Sequence, residues 1–455
     1  MLDALHKTLL LAVAVVTAGC ASGAGNWGQF HRDLPSRGFQ PVKSGFALSS
    51  AWVSAPYKIT SSSPVIGTDF EGREVIYVGT VDGQLIALKS EDGSRKWSRS
   101  FTAVDADARI LGSPAVSEKG DIYIISSHQP KDGRVRSTLH KVDQFSNIIW
   151  SFPLPDNGFT SGSPKVLTDG EQIFIFVHAS AGMGDDIQTE LFVLRDGLAE
   201  AELMDRKPLG ECRYDPAGNR SNPDDIVKTL KADWEYLSGF PVQSGQGGGV
   251  LPDTFADPTP AIMVHEQKTL IAIADNLCSQ GVYDWDGEKL SVLWRAEHDY
   301  QKHSSVALLS SGMMVFGRKD GKVFAFDAQT GVKMWQYDAG EPVFATPSIT
   351  AKHLIFVVSK THIQVLRGEN GKVVSDQNST SRLALLGQTH TSAAVTANRV
   401  YVSTDEMLTA TYDLKAHGHD TNFRGNGLSS VSIGNKGDVF AVDHSGRIRK
   451  YLGTY

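Results

Sequence analysis

The stretch GKVFAFDAQTGVKMW, which runs from Gly321 to Trp335, contains an alternating strand, a glycine turn and a tryptophan. The stretch GQLIALKSEDGSRKW, from Gly83 to Trp97, has the same order with different residues. In both copies an aspartate stands directly before the first glycine. Asp-Gly supplies the positive φ that a two-residue turn between twisted strands needs, so each copy is typical of short antiparallel strands joined by tight turns. The sequence therefore predicts a repeated, all-β unit.

Each copy of the unit opens with a serine or threonine that precedes a short apolar strand. Five of these openers are followed directly by proline. The openers are Ser63, Ser113, Ser163, Thr259, Ser305, Thr346, Ser392 and Ser430. A period of forty to fifty residues with four short strands predicts a β-propeller, in which each blade buries its faces against its neighbours. The interval after Ser163 is about two periods long, so it holds either a hidden blade or a blade with an insertion, and we favour the insertion.

The two ends of the chain complement each other. The last unit, from Ser430 to Tyr451, has only three strands, whereas Phe46 to Tyr57 contains a spare strand with Trp52. Joining them would complete a blade and remove an exposed sheet edge. We therefore predict a single propeller of eight four-stranded blades closed by an N-terminal strand, with seven blades as the alternative. The other repeat tryptophans are expected to pack between blades as wedges, and they are Trp97, Trp150, Trp294 and Trp335.

The two quoted stretches resemble the PQQ-like repeat of quinoprotein-type propellers, and the segment from Trp27 to Asp33 resembles the lead-in that many such proteins carry before their first blade. Among lipoproteins with this repeat, the chain resembles the BamB family of outer-membrane β-barrel assembly factors. That resemblance implies a periplasmic scaffold that binds other envelope proteins, barrel-assembly proteins among them, and performs no catalysis.

The N-terminus has the layout of an export signal. An apolar core from Leu9 to Val16 follows Lys7, and the small residues after it lead to Cys20. The segment resembles a bacterial lipobox, so we expect residues 1–19 to be a lipoprotein signal peptide and Cys20 to carry the lipid. Residues 20–45 would then form anchor, tether and lead-in, and residues 46–455 the propeller. The expected location is the periplasmic face of the outer membrane.

The long interval predicts a small helical insertion at about residues 206–257. Ser221 to Asp225 is a helix-start signature, with a capping side chain, a proline in the first turn and acidic residues at the positive end of the helix dipole. Gly245 to Gly249 follows as a hinge. Cys212 and Cys278 lie near this junction, and in an oxidising compartment they would form one disulfide, with two free thiols as the alternative.

Candidate catalytic and cofactor residues are few. A quinoprotein dehydrogenase is expected to have two adjacent cysteines and a calcium-binding set of acidic and amide residues, and neither is recognisable here. The strongest metal candidate is the group of His417, His419 and Asp420, for which a polar loop tip is the alternative. The net charge of −7 and the lack of a basic cluster argue against nucleic acid as the main partner. We therefore expect no catalytic residues and no cofactor, with a quinoprotein that binds a ligand in the channel as the alternative.

Overall fold

The computed structural model describes residues 26–45, 50–129, 135–183, 186–211, 259–274, 279–297, 304–374, 382–411, 417–420 and 422–453. They form eight sheets that share a four-stranded antiparallel meander, and one of these sheets also carries a fifth, parallel strand from the N-terminal segment. The prediction of an all-β propeller with eight blades is confirmed. No helix among the described residues is long and apolar enough to cross a membrane.

The strands are numbered along the chain. A two-residue strand of the lead-in is β1 Phe39–Gln40, and the strand that closes the ring is β2 Ser50–Val53. Blade 1 contains β3 Val65–Thr68, β4 Glu74–Gly79, β5 Gln84–Lys89 and β6 Arg95–Ser100. Blade 2 contains β7 Ala115–Val116, β8 Ile122–His128, β9 Arg136–Val142 and β10 Ile148–Pro153. Blade 3 contains β11 Lys165–Asp169, β12 Gln172–Met183, β13 Asp186–Asp196 and β14 Ala201–Glu211.

The other blades follow the same plan. Blade 4 contains β15 Ala261–His265, β16 Lys268–Ala274, β17 Ser279–Trp285 and β18 Leu290–Glu297. Blade 5 contains β19 Ala307–Leu308, β20 Met313–Gly317, β21 Lys322–Asp327 and β22 Lys333–Asp338. Blade 6 contains β23 Ser348–Ile349, β24 Leu354–Val358, β25 His362–Arg367 and β26 Arg382–Ala384. Blade 7 contains β27 Ala394–Thr396, β28 Val400–Ser403, β29 Leu408–Thr411 and β30 His417–Asp420. Blade 8 contains β31 Ser432–Ile433, β32 Val439–Val442 and β33 Ile448–Tyr451, with β2 as its outer strand.

Within each blade the strands are called A to D from the channel outwards. Because they form an antiparallel meander, the A–B and C–D turns lie at one end of the propeller and the B–C turns and D–A connections at the other. We call the end with the A–B and C–D turns the lead-in face. The end with the B–C turns and D–A connections is the opener face. A 3-10 turn at Pro155–Asn157 lies in the connection between blades 2 and 3.

The core lies between blades rather than within them. Strands B and C are apolar on both faces, as in β4, where five of six residues are buried. Ile76 of blade 1 packs in one cluster with Phe440 and Val442 of blade 8. Each fully buried aliphatic or aromatic side chain of this kind stabilises the fold by about 1.5–3 kcal/mol. A blade therefore depends on its neighbours for burial.

The ring closes as the sequence predicted. Strand β2 pairs antiparallel with β33, with Trp52 opposite Lys450. The indole N–H of Trp52 donates to the carbonyl of Ser90 in blade 1 at 3.0 Å. Strand β2 thus completes the last blade and also contacts the first one.

The repeat tryptophans act as wedges between blades. Trp294 of blade 4 donates to the carbonyl of Ala328 in blade 5 at 2.9 Å, and Trp335 of blade 5 donates to Gly368 in blade 6 at 2.8 Å. Each ring lies on the glycine of the next C–D turn: a Cβ added to Gly331 would lie 2.6 Å from the Trp294 ring. The glycine and the tryptophan of the repeat are therefore complementary parts of one joint.

The long interval belongs to blade 3, whose three outer strands have eleven or twelve residues each. Residues 206–211, which we expected to begin the insertion, form the end of β14 instead. They pair with β13, with Arg206 opposite Phe192, so extended pairing continues further than the turn signals indicated. The predicted helix from Ser221 and the hinge that follows it lie outside the described residues.

Candidate functional site

The openers form a hydrogen-bonded ring around the channel. For seven of the eight openers, the backbone N–H donates to the side-chain oxygen of the next opener, at 2.9 Å from Ser63 to Ser113 and at 2.9 Å from Ser163 to Thr259. The same bond joins further pairs, namely Ser113 to Ser163, Thr259 to Ser305, Thr346 to Ser392, Ser392 to Ser430 and Ser430 to Ser63. This explains why the repeat begins with a hydroxyl residue. Sequence reasoning found these positions but missed this role for their hydroxyl groups.

The lead-in, which here means residues 26–45, crosses the mouth of the channel at the lead-in face. Strand A of each blade has an edge that faces the channel, and its backbone N–H groups need acceptors. The third residue after the opener donates its N–H to the lead-in in seven blades. The donor–acceptor pairs are Ile66 to Trp27, Val116 to Gly28, Val166 to the Gln29 side chain, Ile262 to Leu34, Leu308 to Pro35, Ile349 to Arg37 and Val395 to Gly38. In blade 8, Gln40 donates to the side chain of Asn435 at 3.3 Å.

A partly buried carboxylate, that of Asp33, organises the turn of the lead-in. Asp33 accepts hydrogen bonds from Arg32 at 3.0 Å and from the Arg37 side chain at 2.8 Å, and it also accepts the backbone N–H of Arg37 at 2.9 Å. Burial by itself raises the pKa of Asp33, but the two guanidinium groups outweigh it, and the pKa is lowered. Arg32 in turn donates to Gln40 at 2.6 Å.

Lys165 and His31 are enclosed in the same turn region as Asp33. Lys165 of blade 3 is completely buried, and its ammonium donates to the carbonyls of Phe30 at 2.8 Å and Asp33 at 2.6 Å. His31 contacts the carbonyl of Ser36 at 2.6 Å. Burial lowers the pKa of His31 to about 4, and the nearby Lys165 charge acts in the same direction. The imidazole is therefore neutral at pH 7, and this mouth of the channel is filled by the chain itself.

The opener face is braced by side-chain bonds between successive blades. Glu341, in the connection from blade 5 to blade 6, accepts from Ser359, from the backbone N–H of Thr361 and from His362 at 3.0, 3.0 and 3.1 Å. Burial opposes ionisation of Glu341, but the hydrogen bonds from Thr361 and His362 are stronger and lower its pKa to about 2. Connections held in this way form a rigid surface, which lowers the entropic cost of binding a partner.

A cavity of about 660 Å³ opens beside the closing joint between blades 8 and 1. Its lining combines the cations Lys58 and Arg95 with Asp82 and the aromatic ring of Tyr57. A concave surface with mixed charges and one aromatic ring suits a protein segment or a polar ligand. It lies beside the joint rather than in the channel.

Blade 3 presents a long outer edge strand on the same molecule. Strand β14 carries Asp205, Arg206 and Lys207 and then Pro208, and of these Arg206 and Pro208 are exposed. Charged residues and proline on an edge strand oppose the addition of a further strand, because proline has no N–H to donate. This edge therefore favours side-chain contacts with a partner over strand pairing.

Only some of the predicted site residues are among those that the structure describes. Cys20, Cys212 and Cys278 lie outside the described residues, so the lipid anchor and the disulfide stay predictions. Asp420 is buried and accepts a hydrogen bond from the Tyr451 hydroxyl at 2.8 Å, which joins blades 7 and 8. His419 contacts the Thr409 hydroxyl at 3.2 Å instead.

Among the described residues, no three or more histidines, cysteines or acidic residues are placed to hold a metal ion. His419 and Asp420 are consecutive residues of strand β30, so their side chains point to opposite faces of the blade. The chain also has no two cysteines adjacent in sequence. We therefore assign no metal or cofactor site to the described residues.

Comparison with protein families supports the resemblance. The family model described as outer membrane protein assembly factor BamB matches residues 54–174 and 279–451, well over half of the chain. The chain belongs to this family. The match covers blades on both sides of the long interval. The unmatched part contains most of the three outer strands of blade 3, the predicted insertion and the two inner strands of blade 4.

Two curated relatives have different functions in their names. The BamB of Burkholderia pseudomallei is 26% identical over 192 residues, which is 42% of this chain and 45% of that protein. The 1-butanol dehydrogenase (cytochrome c) of Thauera butanivorans is 23% identical over 317 residues, which is 67% of this chain and 40% of the enzyme. The matched regions thus span less than half of each relative.

Solved structures agree on the fold. BamB from Moraxella catarrhalis matches with a TM-score of 0.50 and 14% identity, over 91% of this chain and 96% of that chain. A europium-containing methanol dehydrogenase matches with a TM-score of 0.59 and 12% identity, over 92% and 89%. At these identities the likeness establishes the propeller architecture alone.

Proposed function

We propose that this protein is a lipid-anchored scaffold on the periplasmic face of the outer membrane, which binds other envelope proteins and takes part in outer-membrane protein assembly. The observation that carries the proposal is the match of most of the propeller to the BamB family model. The lipobox-like segment that ends at Cys20 supports the anchor. The braced connections of the opener face and the charged edge of blade 3 supply contact surfaces.

The test is affinity capture of the tagged mature protein from detergent-solubilised outer membranes. A scaffold of this kind recovers barrel-assembly proteins in amounts comparable to itself. The matched control is Cys20→Ala, which removes the lipid attachment and leaves every described blade residue unchanged. Recovery of no barrel-assembly protein by the lipidated chain would refute the assignment.

A second candidate is a quinoprotein that binds a ligand in the channel, favoured by the alignment with 1-butanol dehydrogenase over 67% of the chain. Such a ligand would have to enter from the opener face, because the lead-in occupies the other mouth. Pyrroloquinoline quinone with Ca²⁺ at one-hundred-fold excess over its dissociation constant would then stabilise the protein by about 2.7 kcal/mol. An unchanged denaturation midpoint speaks against this candidate.

A further inference from the structure

Large apolar side chains are exposed at turn tips of three consecutive blades, all on the lead-in face. Phe70 lies in the A–B turn of blade 1, Phe145 in the C–D turn of blade 2 and Leu198 in the C–D turn of blade 3. Their exposed fractions are 63%, 63% and 97%. Turn tips ordinarily carry Gly, Asn, Asp or Ser, as in the C–D turn of blade 1 with Asp92 and Gly93. Turn geometry therefore does not explain these three apolar residues, which we call the apolar tips.

The turns that carry the two phenylalanines are rigid without them. Asp69 accepts the backbone N–H groups of Glu71 and Arg73, each at 2.9 Å. In blade 2, Asp143 does the same for Phe145 and Asn147, at 2.9 and 2.8 Å. The aromatic rings thus take no part in forming their turns. The two turns therefore present the rings at the surface, where they are accessible to a partner outside the chain.

The two rings also contact each other across the gap between blades. The ring centroids of Phe70 and Phe145 are 5.4 Å apart. The ammonium of Lys96 lies 5.9 Å from the centre of the Phe70 ring and pairs with Asp69. An aromatic pair with a lysine head beside it is suited to the boundary between lipid acyl chains and head groups, where apolar rings are buried and amines stay hydrated.

The chain enters the propeller at the same place. The side chain of Asn26 donates to Thr68 at 3.0 Å, and Thr68 is two residues before Phe70. Only six residue steps separate Asn26 from Cys20. Fully extended, six residues span at most about 20 Å. A lipid on Cys20 would therefore keep the lead-in face close to the bilayer and raise its effective concentration at the membrane surface.

We propose that the lead-in face docks on the bilayer, with Phe70, Phe145 and Leu198 inserted at the lipid interface and the opener face directed away from the membrane. The proposal rests on the lipid anchor of the proposed function. It gives the scaffold a defined orientation, in which the braced connections and the B–C turns face the periplasm and its proteins. The occupant of the apolar tips is phospholipid rather than a second protein.

The test uses the full lipidated chain in vesicles of phosphatidylethanolamine and phosphatidylglycerol. A photoreactive benzoylphenylalanine replaces Phe145 or Leu198, and the matched control replaces Leu386, which is 56% exposed in the connection from blade 6 to blade 7 on the opener face. Interfacial insertion gives lipid adducts at the first two positions in about tenfold excess over the control. Equal yields at the three positions, adducts to protein alone, or no lipid adducts overturn the proposal.

A second measurement needs no substitution at the tips. Reconstitution into vesicles slows hydrogen exchange in the turns at residues 69–73 and 143–147, while residues 340–343 on the opener face exchange at an unchanged rate. The reverse pattern contradicts the proposed orientation. Mass spectrometry of the same sample separates the two proposals: an unacylated Cys20 contradicts the anchor itself, whereas an acylated Cys20 with no protected turns contradicts only the docking.

Discussion

The backbone N–H of Ser430 donates to the side-chain oxygen of Ser63 at 2.9 Å, although 367 residues separate the two in sequence. This bond joins the opener of the last blade to the opener of the first and closes the ring inside the channel. On the outside, strand β2 closes the same joint by pairing with β33. The closure therefore has two independent parts, one at the channel and one at the rim.

The Ser63→Ala substitution tests the inner part. It leaves the buried N–H of Ser430 without its acceptor, which costs about 1–3 kcal/mol of unfolding free energy. Ser63→Thr is the control, because threonine occupies the equivalent position at Thr259 and accepts the same bond. Urea unfolding followed by fluorescence measures both variants. Equal stability of the alanine and threonine variants would show that the opener ring does not contribute.

The Gly331→Ala substitution tests the joint between blades 4 and 5. Gly331 has a φ of 73° and lies against the Trp294 ring, so a methyl group there meets both backbone strain and a clash. Gly72→Ala is a matched control, because Gly72 has a φ of 74° but no atom within 4 Å of the added Cβ. We expect the control to lose about 1 kcal/mol and Gly331→Ala to lose about 1–3 kcal/mol more. Similar losses in both variants would exclude a role for the wedge.

Acid pH is expected to weaken the lead-in. The pKa of His31 is about 4 in the folded protein and about 6.5 in the unfolded chain. Between these values the unfolded chain binds more protons than the folded protein. The contribution of His31 to the free energy of unfolding is therefore complete above pH 6.5 and declines as the pH falls towards 4. The decline from His31 is about 3 kcal/mol in total. His140 acts in the same direction, because burial lowers its pKa to about 3.

The measurement is the unfolding free energy in urea at several values between pH 7.5 and 4. His31→Asn should reduce the slope with pH, and a matched substitution at the exposed His444 controls for the loss of a histidine as such. A variant with the same slope as the native chain would mean that His31 is not the titrating group.

Asp33→Asn tests the charged turn of the lead-in. The substitution leaves Arg32 buried without its carboxylate and removes an acceptor from the side chain of Arg37, and breaking a buried ion pair on one side costs about 3–5 kcal/mol. Protease digestion of the variant should release the segment before residue 46 while the blades stay resistant. Resistance equal to that of the native chain would contradict the role assigned to Asp33.

Much of the fold could be predicted from the sequence because the repeat is local. Asp-Gly turns and alternating strands act over fewer than ten residues, so Gly83 and Gly321 identified their hairpins directly. The closure by residues near Trp52 was also predictable, since an incomplete last blade requires a missing strand. The length of the strands in blade 3 could not be predicted. They run past residues that ordinarily end a strand, and β14 even contains Pro208.

The candidate site was less predictable, since it depends on contacts between distant residues. Lys165 stands in an ordinary strand in the sequence, and only the fold places its ammonium against the carbonyls of Phe30 and Asp33. Conversely, His419 and Asp420 look like metal ligands in sequence, but each has a partner in the blades. Residue type alone does not distinguish a ligand from a structural hydrogen bond.

The most direct test of the scaffold function is the protein content of outer membranes from cells that lack this chain. Quantitative mass spectrometry should show a reduced amount of β-barrel proteins, restored by the native gene and not by a Cys20→Ala version, with quinone-dependent alcohol oxidation unchanged. Unchanged barrel proteins together with a loss of alcohol oxidation would contradict the account.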